Sequence, residues 1–309
     1  MSKILKNVSP LRYPGGKAKL YPFFKQLVAN NNIGTFVEPF AGGSGCALGL
    51  LLNGDVDSIV LNEYDPAVYA FWWAVLNKPD EFAQLVSNAV FSVDEWKKQK
   101  EIYTQQDTSD LLQLGFSTLY LNRVNRSGIL SAGLIGGLQQ TGNYKMDARF
   151  NKQAIIKKIQ AIAACSEKIV LTSKDASQFL VDYMKEHEAD ISSTLFFIDP
   201  PYYEKGGQLY PLSFKHNDHV ILSNVMKEVE EKNGRYIITY DNHPVINDLY
   251  SDFESLLFYL NYSVAGSRKQ SEAMFYSDKL VMQQAKELLH VAPGKERVAR
   301  GEVHDIQDK

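Results

Sequence analysis

The chain has 309 residues, enough to bury a sizeable core as one large domain or as a core carrying an insertion. Its 45% hydrophobic and 22% charged content is ordinary for a globular protein, and no apolar run approaches the ~18 residues of a membrane span. The formal charge of −3 argues against a generally polyanion-binding surface, so such a partner would need a local basic patch. The N-terminus, MSKILKNVSP, lacks the apolar stretch of a secretory signal. Cys46 and Cys165 have neither metal nor redox spacing and read as small hydrophobes of a reducing, cytoplasmic protein.

An extended start leads into RYPGGKAKLYPFFKQLVA, whose later part has helical spacing. TFVEPF is a short strand running into turn chemistry, and AGGSGCALGLLLN is a glycine turn opening an apolar helix. SIVLNE is a second strand, and DPAVYAFWWAVLN a second helix with Asp65 at its N-cap and Pro66 in its first turn. This strand–helix rhythm predicts an α/β fold with a doubly wound parallel sheet. Residues 69–168 break the rhythm with helices and one glycine-rich polar segment, NRVNRSGILSAGLIGGLQQTGNYKMDARFNK, and read as a mainly helical insertion carrying a hairpin. Sheet rhythm returns at KIVLTSKD, TLFFID and RYIITYD, followed by two late strands, ESLLFYLNYS and EAMFYSD. The core is therefore split between residues 1–68 and 169–287, with a mixed-charge tail at 288–309.

The chemistry concentrates in four places. In FVEPFAGGSG a strand feeds a glycine turn at a helix N-terminus, where Gly42, Gly43 and Gly45 allow close backbone approach to a nucleotide-like ligand. Glu63 ends the next strand, where dinucleotide folds hold ribose hydroxyls. The glycine pattern itself is a poor dinucleotide fingerprint, because Leu48 stands at the third glycine position. RYPGGK is no phosphate loop, since Ala18 follows the lysine and no strand leads into it. FFIDPPYY, at 196–203, ends a strand with an acid, two stiff prolines and two aromatics.

In this order, LRYPGGK, FVEPFAGGSG, the acid of VLNEYD and FFIDPPYY, the chain resembles the Dam-type DNA adenine-N6 methyltransferases in their alpha arrangement. The resemblance implies a Rossmann-like methyltransferase sheet, S-adenosylmethionine as cofactor, and double-stranded DNA as partner of a monomer. It also brings the possibility of a cognate restriction endonuclease acting separately. It implies a catalytic domain at 1–68 and 169–287 and a target-recognition domain at 69–168. Cofactor contacts carry over to Tyr13, Lys17, Glu38, Pro39, Phe40, Gly42, Gly43, Glu63, Asp175 and Asp199. Tyr13 stands where some relatives have Trp, and Glu63 where many have Asp. Catalysis falls to Asp199, Pro200, Pro201 and Tyr202. Adenine N6 is a poor nucleophile, its lone pair being spread into the ring. The Asp199 carboxylate and the Pro200 carbonyl, aimed at its two N–H bonds, stabilise the charge that builds on nitrogen. The prolines stiffen that carbonyl and Tyr202 offers a face for the base. No metal is called for. An adenine inside a duplex must be turned out of the stack.

Residues 117–158 carry Arg123, Arg126, Lys145, Arg149, Lys152, Lys157 and Lys158 against Asp147 alone, a local charge of +6. Such a patch suits phosphates, and Asn122, Asn125, Gln139, Gln140 and Asn143 add groups able to read base edges. The DNA-binding expectation rests on Arg123, Asn125, Arg126, Lys145, Arg149, Lys157 and Lys158, with Arg268 and Lys269 further candidates. His243 reads as a turn or cap residue rather than a base. The alternatives are transfer to cytosine N4 or to an RNA adenine, an inactive DNA-binding relative, and a nicotinamide oxidoreductase. The aspartate of DPPY weighs against cytosine N4, intact Asp199–Tyr202 and Glu63 against an inactive relative, and the broken glycine fingerprint with DPPY against an oxidoreductase.

Overall fold

The structure is a computed structural model that describes residues 7–13, 15–203, 214–259 and 271–291. Seven strands form its sheet: β1 Thr35–Glu38, β2 Ser58–Asn62, β3 Ile169–Thr172, β4 Thr194–Ile198, β5 Arg235–Asp241, β6 Glu254–Tyr259 and β7 Ser271–Tyr276. Their order is β3-β2-β1-β4-β5-β7-β6. The first five run parallel and β7 pairs antiparallel with both β5 and β6. Parallel strands covered on both faces need continuous apolar runs, and all five residues of β4 are buried. The period of two sorts them: Leu195 and Phe197 join one core with Phe36, while Phe196 and Ile198 join the other with Val37.

The helices are α1 Tyr21–Asn30, α2 Gly45–Leu52, α3 Pro66–Asn77, α4 Pro79–Asn88, α5 Val93–Gln105, α6 Leu111–Val124, α7 Lys152–Ala163, α8 Ala176–Glu186, α9 His216–Glu231, α10 Pro244–Leu249 and α11 Gln283–Lys286. α3 begins as predicted, with the Asp65 carboxylate accepting from the N–H groups of Ala67 and Val68. α8, α9 and α10 cover one face of the sheet. α1, α2 and the helices between β2 and β3 share the core on the other. α6 is buried from Leu114 to Asn122, and a side chain at Gly115 would put its Cβ 2.6 Å from the Ala70 carbonyl oxygen of α3. None of the helices among the described residues is long and apolar enough to cross a membrane.

The glycine-rich segment differs from the expected hairpin. It is a folded loop with short 3-10 turns at Arg126–Gly128 and Met146–Arg149, closed by one antiparallel bridge between Asn125 and Leu134. Gly128, Gly136 and Gly137 have positive φ, which takes the backbone out of strand geometry. The Gln140 side chain braces the loop, donating to the carbonyls of Ile135 and Gly137 and accepting from the Met146 N–H.

Candidate active site

The sheet order reverses between β1 and β4, so the carboxyl ends of these strands and of β2 open onto one crevice. A cavity of about 590 Å³ lies there, of a size suited to a small-molecule cofactor. Glu38 ends β1 and is buried, as is Glu63 just past β2. Glu63 fixes the glycine turn: its carboxylate accepts from the Gly42 N–H at 2.8 Å and the Asp65 N–H at 2.9 Å. The Trp72 indole N–H donates to the Gly42 carbonyl at 2.9 Å. Gly42 has φ 47°, and a Cβ at Gly42 or Gly43 would meet Tyr13 at 2.7 Å. The glycines are thus needed for the approach of Tyr13 itself. Pro39 and Phe40 continue the wall, and the Pro39 carbonyl accepts from the Asn62 amide at 3.1 Å.

Burial is the main force on both carboxyl groups. It pushes Glu38 up to about 8, and pushes Glu63, helped by the charge of Asp65, up to about 7. One Glu38 oxygen accepts from the Ala47 N–H at 3.3 Å, while the other is buried with no hydrogen-bond partner. Asp175 lines the cavity and caps α8, accepting from the N–H groups of Ser177 and Gln178.

Asp199 follows β4, and two distant residues hold it. Lys17 Nζ lies 3.0 Å from one carboxylate oxygen, and the Thr239 hydroxyl donates to the other at 2.7 Å. Lys17 also donates to the Gly15 carbonyl at 2.7 Å, lies 4.0 Å from Glu272 and sits 4.9 Å over the ring of Tyr202. Pro201 lines the same cavity, and Pro200 is buried.

An acid at the end of β4, beside a glycine turn carrying two buried carboxyls, is the arrangement expected of an amino methyltransferase. Residues 13–262 match the model of the D12 class N6 adenine-specific DNA methyltransferases. The chain belongs to this family. The type II methyltransferase M.CviBI of Paramecium bursaria Chlorella virus NC1A is 25% identical over 230 residues, which is 72% of this chain and 79% of that one. The protein is therefore an adenine-specific DNA methyltransferase, with DNA as its substrate and a methyl donor as its second reactant.

In this methyltransferase the expected DNA-binding residues divide. Arg126, Lys145, Arg149 and Lys157 are exposed. Asn125 is not available to a base edge: it is fully buried, accepts from the Trp96 indole N–H at 2.8 Å and donates to the carbonyls of Ile129 and Leu130. Asn122 is likewise internal and clamps the backbone of Arg12 at both its N–H and its carbonyl, at 2.7 and 3.0 Å. Arg123 and Lys158 point inward rather than to the outer surface. Arg123 donates to the Pro10 carbonyl, Lys158 donates to the Ser9 carbonyl at 2.9 Å, and both line the cavity. His243 caps α10, its ring nitrogen accepting from the Val245 N–H at 3.3 Å. Arg268 and Lys269 lie outside the described residues.

Sequence reasoning missed Thr239, Glu272 and Arg12. The first two sit inside runs that read only as strand. A signal existed for Lys158: Ile155, Ile159 and Ile162 form the buried stripe of α7, and residue 158 is three past the first and four before the last.

Proposed function

We propose that the enzyme transfers a methyl group from S-adenosylmethionine to N6 of an adenine turned out of duplex DNA, at a specific sequence read by the insertion at 69–168. The reading is carried by one observation: Asp199 of the DPPY turn faces the same cavity as the buried carboxyls Glu38 and Glu63. The residues present suit this cofactor. Glu38 holds an unpartnered buried oxygen, which fits an ammonium donor. Glu63 already accepts two backbone N–H groups, and a carboxylate has room for about four hydrogen bonds, so ribose hydroxyls can be added. Glu38, Glu63 and Asp199, all lining the cavity, favour a cationic ligand. When bound, the cofactor supplies an electrophilic sulfonium methyl group.

The chain's own residues then do the rest. Asp199, fixed by Lys17 and Thr239, accepts from one N6–H bond, and the Pro200 carbonyl accepts from the other. Both acceptors favour a tetrahedral nitrogen. Tyr202 stacks on the base, and the product releases its extra proton to water. Because both acceptors stand at the end of a buried strand, orientation supplies a large share of the rate. Exposed Arg126, Lys145, Arg149 and Lys157 meet the duplex, which a monomer engages. The type II designation of the relative suggests a restriction endonuclease acting separately at the same site.

The test is sequencing of modified bases in DNA from cells expressing the wild type or Asp199→Ala. N6-methyladenine confined to one short sequence, and absent with the variant, is expected. Methylated cytosine N4, or unchanged methylation with the variant, overturns the proposal.

A further inference from the structure

Three cations from three parts of the chain line the cavity, Arg12 from the N-terminal segment, Arg123 from α6 and Lys158 from α7, with Arg123 close enough to feel the charge of Arg12 and Lys158 that of Arg123. Among the described residues none of them forms an ion pair with a carboxylate. Their hydrogen bonds are incomplete as well. Arg12 Nη1 and Arg123 Nε are buried without a partner. The bonds that are made go to backbone carbonyls: Lys158 to Ser9, and Arg123 to Pro10 and Arg149. Burial, with repulsion from Arg123, holds Lys158 down to about 8; burial, with repulsion from Arg12, holds Arg123 down to about 10; and burial, with repulsion from Arg149, lowers Arg12. Clustered cations with unused donors make a site for an anion with several acceptor oxygens, and the guanidinium fork matches such an anion bidentately.

We propose that Arg12, Arg123 and Lys158 form a receptor for one phosphodiester of the DNA substrate, built into the wall of the catalytic cavity. It rests on the reading that the adenine is turned into this cavity, because the strand carrying that base must follow it to the wall. The cofactor also carries a carboxylate, but this cofactor is cationic overall, and three cations oppose it. The wall is also continuous with the exposed basic loop. Gly128 packs so close to Arg12 that a Cβ there would lie 2.3 Å from its carbonyl oxygen, and Asn122 clamps the Arg12 backbone. Exposed Arg126 stands two residues before that contact.

The test uses Lys158→Gln and Arg12→Gln, leaving in place Arg123, which also holds the Pro10 carbonyl. Duplex binding is titrated at two salt concentrations and S-adenosylmethionine binding is measured by calorimetry. Each variant should bind duplex roughly fivefold or more weakly, with a salt slope smaller by about 0.9, the signature of one lost phosphate contact. Cofactor affinity should stay within about twofold, since uniform phosphate binding is separate from it. Independently of folding, a neutral methylphosphonate beside the target adenine should weaken binding by the wild type and add little to the loss in Lys158→Gln. An unchanged salt slope in both variants overturns the receptor. Lost cofactor affinity with an intact slope assigns the site to the cofactor carboxylate and also overturns it. Salt slopes are read without turnover, so failure of the wild type to methylate adenine would count against the proposed function separately.

Discussion

The Lys17 ammonium and the Asp199 carboxylate meet at 3.0 Å across 182 residues of sequence, and the lysine side chain is only 2% exposed. This contact ties the N-terminal LRYPGGK motif to the strand end that carries Asp199. Lys17, expected only as a cofactor contact, orients the acid of the DPPY turn. Thr239 fixes the other oxygen, so the Asp199 carboxylate has little freedom to turn.

Asp199→Ala should reduce methyl transfer at least ~10²-fold, the scale of losing one group aimed at developing charge. Asp199→Asn should also be severe, because an amide is the weaker acceptor. Single-turnover methyl transfer with saturating cofactor is the measurement. Near wild-type rates in either variant would contradict the assigned role. Lys17→Met should lower the same rate while leaving Asp199 in place, since an unanchored carboxylate reaches the productive geometry less often.

The proposed function gives Glu63 a double task, which separates two substitutions. Glu63→Ala frees the Gly42 and Asp65 N–H groups and, on the proposed function, removes the acceptor for the ribose, so cofactor binding should weaken by ~1.5–3 kcal/mol or more. Glu63→Gln keeps the shape and one acceptor oxygen and should lose less. Calorimetric titration of folded variants decides. Unchanged affinity in Glu63→Ala would mean that the cofactor does not reach the end of β2.

Buried Glu38 and Glu63 give the protein a pH dependence of definite sign. Their folded values, about 8 and about 7, lie above the ordinary carboxyl value of 4.5. The folded state therefore holds more protons than the unfolded state between these limits. The stability this contributes is complete below the ordinary value and is lost as pH rises through about 7 and 8. The melting temperature of the cofactor-free protein should fall over that window, and Glu38→Gln should flatten the fall. A cationic ligand favours the ionised carboxyls, so its binding should release protons and tighten over the same range. A ligand-free melting temperature that rises from pH 5 to 8 in the wild type but not in Glu38→Gln would reverse the assignment.

The sheet and its site-bearing turns were legible because each depends on local chemistry. Apolar runs of four or five residues, the Asp65–Pro66 cap and the glycine turn are readable in a single pass along the chain. The pairings were not legible. Nothing local ties Lys17 to Asp199, or Glu272 to either, because β7 reaches its place beside β5 only through the sheet order. Asn125 misled for a different reason. An asparagine in a glycine-rich, basic stretch has the composition of a solvent loop, yet it follows a helix buried from Leu114 to Asn122. That continuous burial was the available sign that the polar residues ending it would be structural.

Asn125 and its neighbour Arg126 provide the sharpest contrast in the insertion. Asn125 uses both ends of its amide inside the protein, so Asn125→Ala leaves the Trp96 indole N–H without its acceptor and takes a donor from the Leu130 carbonyl and from the Ile129 carbonyl, which keeps the Ala132 N–H. Each buried group orphaned in this way costs ~1–3 kcal/mol, and the variant should melt well below the wild type. Any loss of DNA binding should then follow the loss of folded protein. Arg126 is exposed at the turn where the chain leaves α6, and its guanidinium lies near Gly133, where a Cβ would meet it at 2.9 Å. Arg126→Ala removes no buried contact and should leave stability within ~0.5 kcal/mol. If Arg126 reads a base, the preferred site should lose ~1–3 kcal/mol of discrimination and the methylated positions in sequenced DNA should become more varied. Thermal melting alongside methylation-site sequencing separates the two residues. A stable Asn125→Ala with relaxed site preference would return that residue to the interface. An Arg126→Ala enzyme with unaltered affinity and specificity would move recognition to another part of the exposed loop, where Tyr144, 68% exposed beside Lys145, is the next aromatic able to meet a base.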